Sequence, residues 1–293
     1  MTHTDELLAK VAIVTGANQG LGLAIARRYA AAGASLVLCA RDATLLAQAR
    51  EAVQAQGHHD ARVLTLAGDV SDPAFGARLA EAALTINGRI DVLVNNAGVY
   101  GPMGPSEEVD WAAWMRTLEI NLLGSVLTCR AVLPAMKQQR AGKIVQLSGG
   151  GATSPMPNIS AYAVSKAAVV RFADTLAEEV REFGIDVNAI APGALNTRML
   201  DEVIAAGPQA AGADFFARSK RQKDTGGAGL EKASDLAVFL ASAASNGITG
   251  KLISALWDDW PVWPAHRDEL ARTDAYTLRR IAGRDRGLTW GDK

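Results

Sequence analysis

The sequence has few cysteines and no excess of charge of either sign. Cys39 and Cys129 are its two cysteines, and both lie among apolar residues, which excludes a disulfide framework and a cysteine-based metal site. Thirty lysines and arginines against 31 aspartates and glutamates give a formal net charge of −1. An overall attraction to nucleic acid or to an anionic membrane is therefore not expected. The simplest setting for two buried thiols is a reducing cytoplasm.

Long hydrophobic runs and clusters of metal ligands are also missing. No stretch approaches the roughly 18 uninterrupted apolar residues that a membrane-spanning helix requires, and the charged N-terminal segment lacks the pattern of a signal peptide. The histidines are too scattered for a metal cluster or a serine-hydrolase triad; they are His3, His58, His59 and His266. We expect a cytoplasmic protein with no metal, no membrane partner and no nucleic-acid partner.

The composition is that of a protein with a sizeable apolar core. Hydrophobic residues make up 49% of the chain and charged residues 21%, which excludes a disordered protein or a coiled coil. A length of 293 residues suits an α/β fold with one large sheet, and no internal repeat or linker is visible. We predict a single domain over residues 1–293, in which residues 257–293 form a C-terminal extension.

Short strand-like runs alternate with longer helical patterns along the chain. The predicted strands are Val11–Val14, Ser35–Cys39, Arg62–Leu66, Asp91–Val94, Lys143–Leu147, Ile185–Ile190 and Lys251–Ser254. The predicted helices span 20–32, 43–56, 73–87, 107–138, 161–183 and 233–243. Continuous apolar strands indicate burial on both faces of a sheet. The pattern predicts an α/β fold with a doubly wound, parallel seven-stranded sheet and helices on both faces, and it leaves residues 195–230 irregular.

A glycine-rich turn lies between the first predicted strand and the first predicted helix. Its sequence is Thr15-Gly16-Ala17-Asn18-Gln19-Gly20-Leu21-Gly22. Glycines there let the backbone approach a pyrophosphate, whose charge the helix N-terminus favours. Glycines also serve tight strand-to-helix turns that bind nothing, which is the alternative interpretation. The position between strand and helix favours a dinucleotide.

Four motifs in this order resemble those of the short-chain dehydrogenase/reductase family, and together they cover roughly residues 8–256. They are the glycine-rich turn, Asn95-Asn96-Ala97-Gly98 after the fourth strand, Tyr162 with Lys166, and Pro192-Gly193 after the sixth strand. Asn121 is similar to the asparagine of the family's long helix. The resemblance implies a seven-stranded Rossmann-like fold, a nicotinamide cofactor, and a homodimer or homotetramer built on the two long helices.

Tyr162 and Lys166 are candidates for acid–base chemistry. Four residues apart in a helix, they share one face, and a nearby cation favours the phenolate and brings the tyrosine pKa closer to the working pH. An amphipathic helix that carries both by chance is the alternative, which the other motifs disfavour. The resemblance implies that Tyr162 exchanges a proton with a carbonyl or alcohol oxygen, that Lys166 holds the nicotinamide ribose and that Asn121 anchors a water relay. Asn121 could instead bond the helix backbone at a kink.

The resemblance also implies the other cofactor contacts. Thr197 resembles a threonine that meets the nicotinamide carboxamide, and Asn95 and Asp69 resemble positions beside the ribose and adenine, although Asp69 could simply end the third strand. The full predicted set is Gly16, Asn18, Gln19, Gly20, Leu21, Gly22, Arg41, Asp69, Val70, Asn95, Ala97, Gly98, Tyr162, Lys166, Pro192, Gly193 and Thr197.

One position departs from the family pattern. Gly149 stands thirteen residues before Tyr162, where the family has its catalytic serine. Loss of a pre-organised hydrogen-bond donor to the reacting oxygen raises the activation barrier by several kcal/mol, so a neighbouring hydroxyl is needed. We predict that Ser148 supplies it, with Thr153 and Ser154 as less favoured alternatives.

The end of the second strand bears on the choice of nicotinamide. Ala40 stands where NAD-preferring members of the family carry aspartate, and Arg41 follows as in NADP-preferring ones. The sequence predicts NADP(H). In the alternative interpretation Arg41 is a solvated charge and Asp42 a helix cap.

The predicted function is an NADP(H)-dependent oxidoreductase that interconverts a carbonyl and a secondary alcohol on a small-molecule substrate. Two alternatives stay open: a dinucleotide-binding regulator with reduced catalysis, motivated by Gly149, and an epimerase or lyase that recycles its nicotinamide. Three tryptophans between Trp257 and Trp263 are expected to anchor the tail or to bury a subunit contact, and less readily to stack on a substrate ring.

Overall fold

The fold is built on one parallel sheet of seven strands. The computed structural model describes residues 6–58 and 61–290, so His3 and His59 lie outside the described residues. The strands are β1 (Val11–Thr15), β2 (Ser35–Ala40), β3 (Val63–Ala67), β4 (Val92–Asn95), β5 (Gly142–Leu147), β6 (Ile185–Ala191) and β7 (Leu252–Ser254). Their order is β3-β2-β1-β4-β5-β6-β7, and every neighbouring pair is parallel. The predicted doubly wound sheet is confirmed.

Helices cover both faces of this sheet. They are α1 (Gly20–Ala31), α2 (Ala43–Gln54), α3 (Phe75–Asn87), α4 (Trp111–Leu118), α5 (Gly124–Gln139), α6 (Ser160–Val180), α7 (Arg198–Ala211), α8 (Ala213–Thr225), α9 (Glu231–Ala241) and α10 (Arg267–Arg272). Side chains alternate along a strand. In β1, Ala12 and Val14 join the core under α1, α2 and α9, whereas Val11 and Ile13 join the core under α3, α5 and α6.

The region between β4 and β5 differs from the single helix predicted over residues 107–138. Its helix begins at Trp111, because the Asp110 carboxylate accepts a hydrogen bond of 2.7 Å from the Ala113 N–H. A π-helical turn, Glu119–Leu123, then separates α4 from α5. Single π turns inside helices are common at functional sites.

This same stretch, Trp111–Gln139, is long and apolar enough to cross a membrane by length and composition, because an 18-residue window within it has a mean hydropathy of 1.3. Core helices of soluble proteins pass the same test. Here α5 packs against α3, and α4 packs against α6. The absence of a membrane partner stays a prediction.

Residues 195–230 are more regular than the sequence predicted. They form α7 and α8, and Gly207, with φ of 76°, interrupts α7 just before Pro208. A left-handed glycine followed by proline breaks the helical period, so the sequence of this region does not predict a helix. Arg198 and Met199, at the start of α7, line a cavity described below.

The C-terminal extension packs onto the body beside β7, which is an edge strand. The Leu252 N–H donates to the Tyr276 carbonyl at 2.8 Å, and the Lys251 ammonium donates to two further tail carbonyls. Trp263 is 4% exposed and packs on Tyr276, while Trp257 is 85% exposed. The tail therefore pairs with the open edge of the sheet and is anchored by an aromatic side chain.

Candidate active site

A cavity of about 310 Å³ opens at the carboxyl ends of the strands. Residues that follow successive strands line it, among them Gly16 after β1, Asp69 after β3 and Pro192 after β6. The sheet order reverses between β1 and β4, and open α/β sheets bind ligands in the crevice at such a point.

Most of the predicted site residues meet in this cavity. Those that line it are Gly16, Asn18, Gln19, Gly20, Leu21, Arg41, Asp69, Val70, Ala97, Gly98, Ser148, Tyr162, Lys166, Pro192, Gly193 and Thr197. Gly22, Asn95 and Asn121 do not line it, and each has a structural role described below. Among the described residues, no group of three or more His, Cys, Asp or Glu is arranged to hold a metal ion.

The glycine-rich turn has the shape that a pyrophosphate needs. Gly16 and Gly20 adopt left-handed φ values of 63° and 55°, which favour glycine. No side chain caps the N-terminus of α1, so the N–H groups of its first turn are available to an anion. A side chain on Gly22 would overlap the Gly16 carbonyl and the Asn96 amide, so Gly22 serves the packing of the turn. The turn fits a dinucleotide.

Hydrogen bonds of Asn96 and Thr15 stabilise this turn. The Asn96 side-chain amide donates to the carbonyls of Thr15 and Gly16 at 2.9 and 3.1 Å. The Thr15 hydroxyl accepts from the N–H groups of Asn96 and Ala97, both at 3.0 Å. Hydrogen bonds thereby join the Asn-Asn-Ala-Gly motif to the glycine-rich turn.

Asn95 faces α5 instead of the cavity. Its amide donates to the Ser125 carbonyl and the Cys129 sulfur, both at 3.3 Å, and its oxygen accepts from the Thr128 hydroxyl at 2.7 Å. Successive residues at a strand end point in opposite directions, so the ligand side of this motif begins at Asn96. The side chain of Asn95 therefore does not reach the cavity as predicted. Its neighbours Asn96, Ala97 and Gly98 line the cavity instead.

Tyr162 and Lys166 project from α6 into the cavity. The Lys166 ammonium donates to the Leu147 carbonyl at 2.7 Å and lies 5.8 Å from the centroid of the Tyr162 ring. Burial lowers the pKa of Lys166 to about 8. Burial, with a smaller contribution from Tyr100, raises the pKa of Tyr162, which is opposite to the direction expected from the sequence. Desolvation is the main cause, and Tyr162 keeps its proton at neutral pH.

Asn121 lies in the π-helical turn and binds the chain after β4. Its oxygen accepts from the Val99 N–H at 2.8 Å, and its amide donates to the Val99 carbonyl and the Ser165 hydroxyl, both at 2.9 Å. Asn121 thus lies at a helix irregularity, but its side chain bonds the segment after β4 and not the helix backbone of the alternative interpretation; its part in a water relay stays a prediction. A side chain on Gly98 would lie 3.2 Å from the Asn121 oxygen and 3.5 Å from the Lys166 ammonium, so both approach the same space.

Ser148 has a free hydroxyl at the cavity wall. Its oxygen is buried and has no hydrogen-bond partner within residues 6–58 and 61–290. A buried hydroxyl without a hydrogen bond is unfavourable unless a ligand supplies the missing partner. Thr153 and Ser154 are exposed and do not line the cavity, so the structure favours Ser148 among the three.

The opposite end of the cavity carries Ala40, Arg41 and Asp42. The Asp42 carboxylate accepts from the Leu45 N–H at 2.9 Å and so caps α2. Arg41 is exposed and makes no hydrogen bond or ion pair with another described residue. Beside them, Asp69 is bound by Ser71 and by an ion pair with Arg116. The charge of Arg41 contributes to lowering the pKa of Asp69, but its guanidinium makes no hydrogen bond to a described residue and can meet an anion in the cavity.

Sequence reasoning missed several wall residues. They are Ala40, Asp42, Gly68, Asn96, Val99, Tyr100, Ile120, Leu147, Leu195, Arg198 and Met199. Tyr100 comes two residues after the Asn-Asn-Ala-Gly motif, and that proximity is the one signal that could have singled it out. Asn96 belongs to that motif, and Ala40 and Asp42 flank Arg41; the remaining wall residues come from segments whose place depends on long-range packing.

The sequence matches the short chain dehydrogenase family over residues 10–207. It is 38% identical to the human Dehydrogenase/reductase SDR family member 4 over 197 residues, which are 67% of this chain and 70% of that protein. A solved levodione reductase superposes with a TM-score of 0.78 and 30% identity over 85% of this chain and 96% of the other. An NAD⁺-bound xylitol dehydrogenase superposes with a TM-score of 0.77 and 26% identity over 85% and 98%.

Fold and cavity thus define a dinucleotide-binding α/β protein. The chain belongs to the short chain dehydrogenase family, whose members are oxidoreductases that act on alcohol and carbonyl groups with a nicotinamide dinucleotide.

Proposed function

We propose that this protein is an NADP(H)-dependent oxidoreductase that interconverts a carbonyl and a secondary alcohol, with Tyr162 as general acid and base. The observation that carries the proposal is the meeting of Tyr162, Lys166 and the free Ser148 hydroxyl in the cavity that also contains the phosphate turn. A protonated tyrosine suits the direction in which a carbonyl is reduced, because its oxygen then has a proton to give.

Each part of the cavity has a distinct task in this proposal. The glycine-rich turn and the N-terminus of α1 bind the pyrophosphate, while Thr197 and Lys166 hold the nicotinamide end. The bound nicotinamide supplies or accepts the hydride. Tyr162 gives its proton to the substrate oxygen in one direction and takes it back in the other, and Ser148 donates a hydrogen bond to the same oxygen.

The preference for NADP(H) is supported by the residues after β2. Ala40 presents no carboxylate to the ribose hydroxyls, Asp42 is engaged as a helix cap, and Arg41 is free to pair with a 2′-phosphate. We expect Arg41→Gln to weaken NADPH binding at least tenfold and NADH binding by less than twofold, measured by nicotinamide fluorescence. Arg130→Gln, on the exposed face of α5, is the matched control. Equal affinities of the wild type for NADPH and NADH would contradict the preference.

The test of the activity is nicotinamide absorbance, with NADPH and a panel of ketones and with NADP⁺ and a panel of alcohols and sugars. We expect turnover that Tyr162→Phe lowers at least a hundredfold, while Tyr276→Phe in the tail leaves it unchanged. NADPH binding without any turnover would favour the regulator suggested by Gly149. Substrate conversion without a net change in absorbance would favour an epimerase or lyase.

The assembly we propose is a homodimer or homotetramer in the cytoplasm, acting on a small molecule, with neither nucleic acid nor membrane as partner. Exposed apolar side chains on the two long helical segments support the oligomer: Trp111, Met115, Leu123 and Val164. Solvent-exposed apolar residues in one region are typical of subunit interfaces.

A further inference from the structure

The space around the Tyr162 hydroxyl is unusual because of Gly149. The backbone of Gly149 has φ of −174°, an extended conformation that any residue adopts. A Cβ atom on Gly149 would nevertheless overlap the Tyr162 hydroxyl oxygen and lie 3.1 Å from Cζ of that ring. With the Tyr162 ring in this position, its hydroxyl lies where a side chain at position 149 would be, so any larger residue there would have to displace the hydroxyl.

Tyr100 packs directly against the Tyr162 ring. The two ring centroids are 4.7 Å apart, with 62° between the planes, which is an edge-on contact. Tyr100 in turn meets Phe215 of α8 at 6.2 Å and 82°. Its backbone neighbour Val99 donates its N–H to the Asn121 oxygen and accepts at its carbonyl from the Asn121 amide. Tyr100 thus packs between the rings of Tyr162 and Phe215, on a segment that Asn121 binds.

We propose that Tyr100 is a positioning residue that holds the Tyr162 hydroxyl in the space left open by Gly149. The inference rests on the proposed function, in which Tyr162 exchanges the proton. Tyr100 and Tyr162 line the same cavity wall together with Ser148 and Lys166. Fixing the tyrosine ring fixes the distance between its hydroxyl and the substrate oxygen, on which proton transfer depends steeply.

The electrostatic surroundings agree with this arrangement. Burial raises the pKa of Tyr100, and the nearby Glu202 carboxylate adds to the effect. Tyr100 in turn contributes to the raised pKa of Tyr162. Removal of the Tyr100 side chain admits water to the Tyr162 phenol, and the pKa of Tyr162 should then fall.

The first test compares Tyr100→Ala with Tyr100→Phe, with Tyr276→Phe as control. We expect Tyr100→Ala to lower kcat at least tenfold while KM for NADPH changes less than threefold. We expect Tyr100→Phe, which keeps the ring contact, to retain kcat within threefold. Ultraviolet titration of the phenolate, assigned by subtracting the spectra of the Tyr100→Ala/Tyr162→Phe double variant, should show Tyr162 ionising at lower pH in Tyr100→Ala than in Tyr100→Phe.

The second test is coupling between positions 100 and 149. Gly149→Ala should displace the Tyr162 hydroxyl and lower kcat at least tenfold in the wild-type background. In the Tyr100→Ala background the same change should lower kcat less than threefold, because Tyr162 is already free to move. Independent effects, or a Tyr100→Ala variant with wild-type kcat and titration, would overturn the proposal.

Two outcomes separate this inference from the proposed function. Full turnover by Tyr162→Phe would remove the proposed function, while the phenolate titration, which needs no substrate, would still decide whether Tyr100 positions Tyr162. If Gly149→Ala fails to fold, the two Tyr100 variants decide by kcat and titration together: loss of kcat with a shift to lower pH in Tyr100→Ala alone supports the proposal, and wild-type kcat in Tyr100→Ala overturns it.

Discussion

At the scale of single residues, Ser148 shows how a hydrogen-bonding group can be kept for a ligand. Its hydroxyl is buried at the end of β5 without a partner among the described residues, which the folded protein tolerates at a cost of about 1–3 kcal/mol. We expect Ser148→Ala to lower kcat about tenfold to a hundredfold, because the substrate oxygen loses a donor, with NADPH affinity unchanged. Steady-state kinetics beside Thr153→Ala, whose hydroxyl lies away from the cavity, provide the check. A Ser148→Ala variant with wild-type kcat would mean that another group donates the hydrogen bond to the substrate oxygen.

Lys166 links activity to stability at the same scale. Burial lowers its pKa in the folded protein to about 8, below the value of about 10.4 for an exposed lysine. Between these two values the unfolded chain binds more protons than the folded protein, so stability rises with pH in that window. Below pH 8 the lysine is charged in both states, so the whole free-energy cost of burying its ammonium opposes folding.

We therefore expect Lys166→Met to abolish turnover and to raise the free energy of unfolding at pH 7 by about 2 kcal/mol. The gain should shrink as the pH rises from about 8 towards 10.4, and it should be lost above 10.4, where the wild-type lysine becomes neutral in both states. Urea unfolding at pH 7 and pH 10 measures it, with the exposed Lys223→Met as control. A variant less stable than the wild type at pH 7 would show that the hydrogen bond to Leu147 outweighs desolvation.

At the scale of elements, the C-terminal extension is attached to the body by packing and by backbone pairing with β7. Trp263 is nearly fully buried against Tyr276, and Trp260 packs on Phe239 of α9 at 5.2 Å. Two of the three clustered tryptophans thus have the anchoring role expected for them. Trp257 differs, since it projects into solvent.

Removing the anchor should loosen the tail. We expect Trp263→Ala to lower the free energy of unfolding by about 3 kcal/mol and to speed proteolysis of the extension, because a large apolar side chain is lost from a packed site. Trp257→Ala, at an exposed position, should change the free energy by less than about 0.5 kcal/mol. Equal effects of the two changes in urea unfolding would mean that the tail is not held by Trp263.

At the scale of the whole molecule, the outer surface of the two long helical segments is the proposed subunit interface. Trp111 is 67% exposed and stacks on Trp114 at 5.3 Å, which leaves a flat aromatic surface to be covered. We expect Trp111→Glu to lower the molar mass measured by light scattering from that of a dimer or tetramer to a smaller species, because burial of the charge opposes association. Trp290→Glu, in the tail, should leave the mass unchanged. An oligomer unaffected by Trp111→Glu would place the interface elsewhere.

Much of the fold and part of the site follow from local patterns. Apolar runs such as Val11–Val14 form strands buried on both faces wherever helices cover them, and the four-residue spacing of Tyr162 and Lys166 puts both on one side of any helix. The glycine turn between β1 and α1 likewise depends on neighbours in the chain. The extent of a single domain over residues 1–293 stays a prediction.

Other features depend on contacts between distant parts of the chain. Which of Asn95 and Asn96 faces the ligand follows from the direction of the last residue of β4, and the direction of the Tyr162 pKa shift follows from burial, which no spacing reveals. Tyr100 reaches Tyr162 from 62 residues away because Asn121 binds its neighbour Val99. Periodicity is a property of one segment, whereas desolvation and side-chain contact arise only when segments pack together. This is why the motif residues of the site could be predicted from the sequence, whereas the contact of Tyr100 with Tyr162 could not.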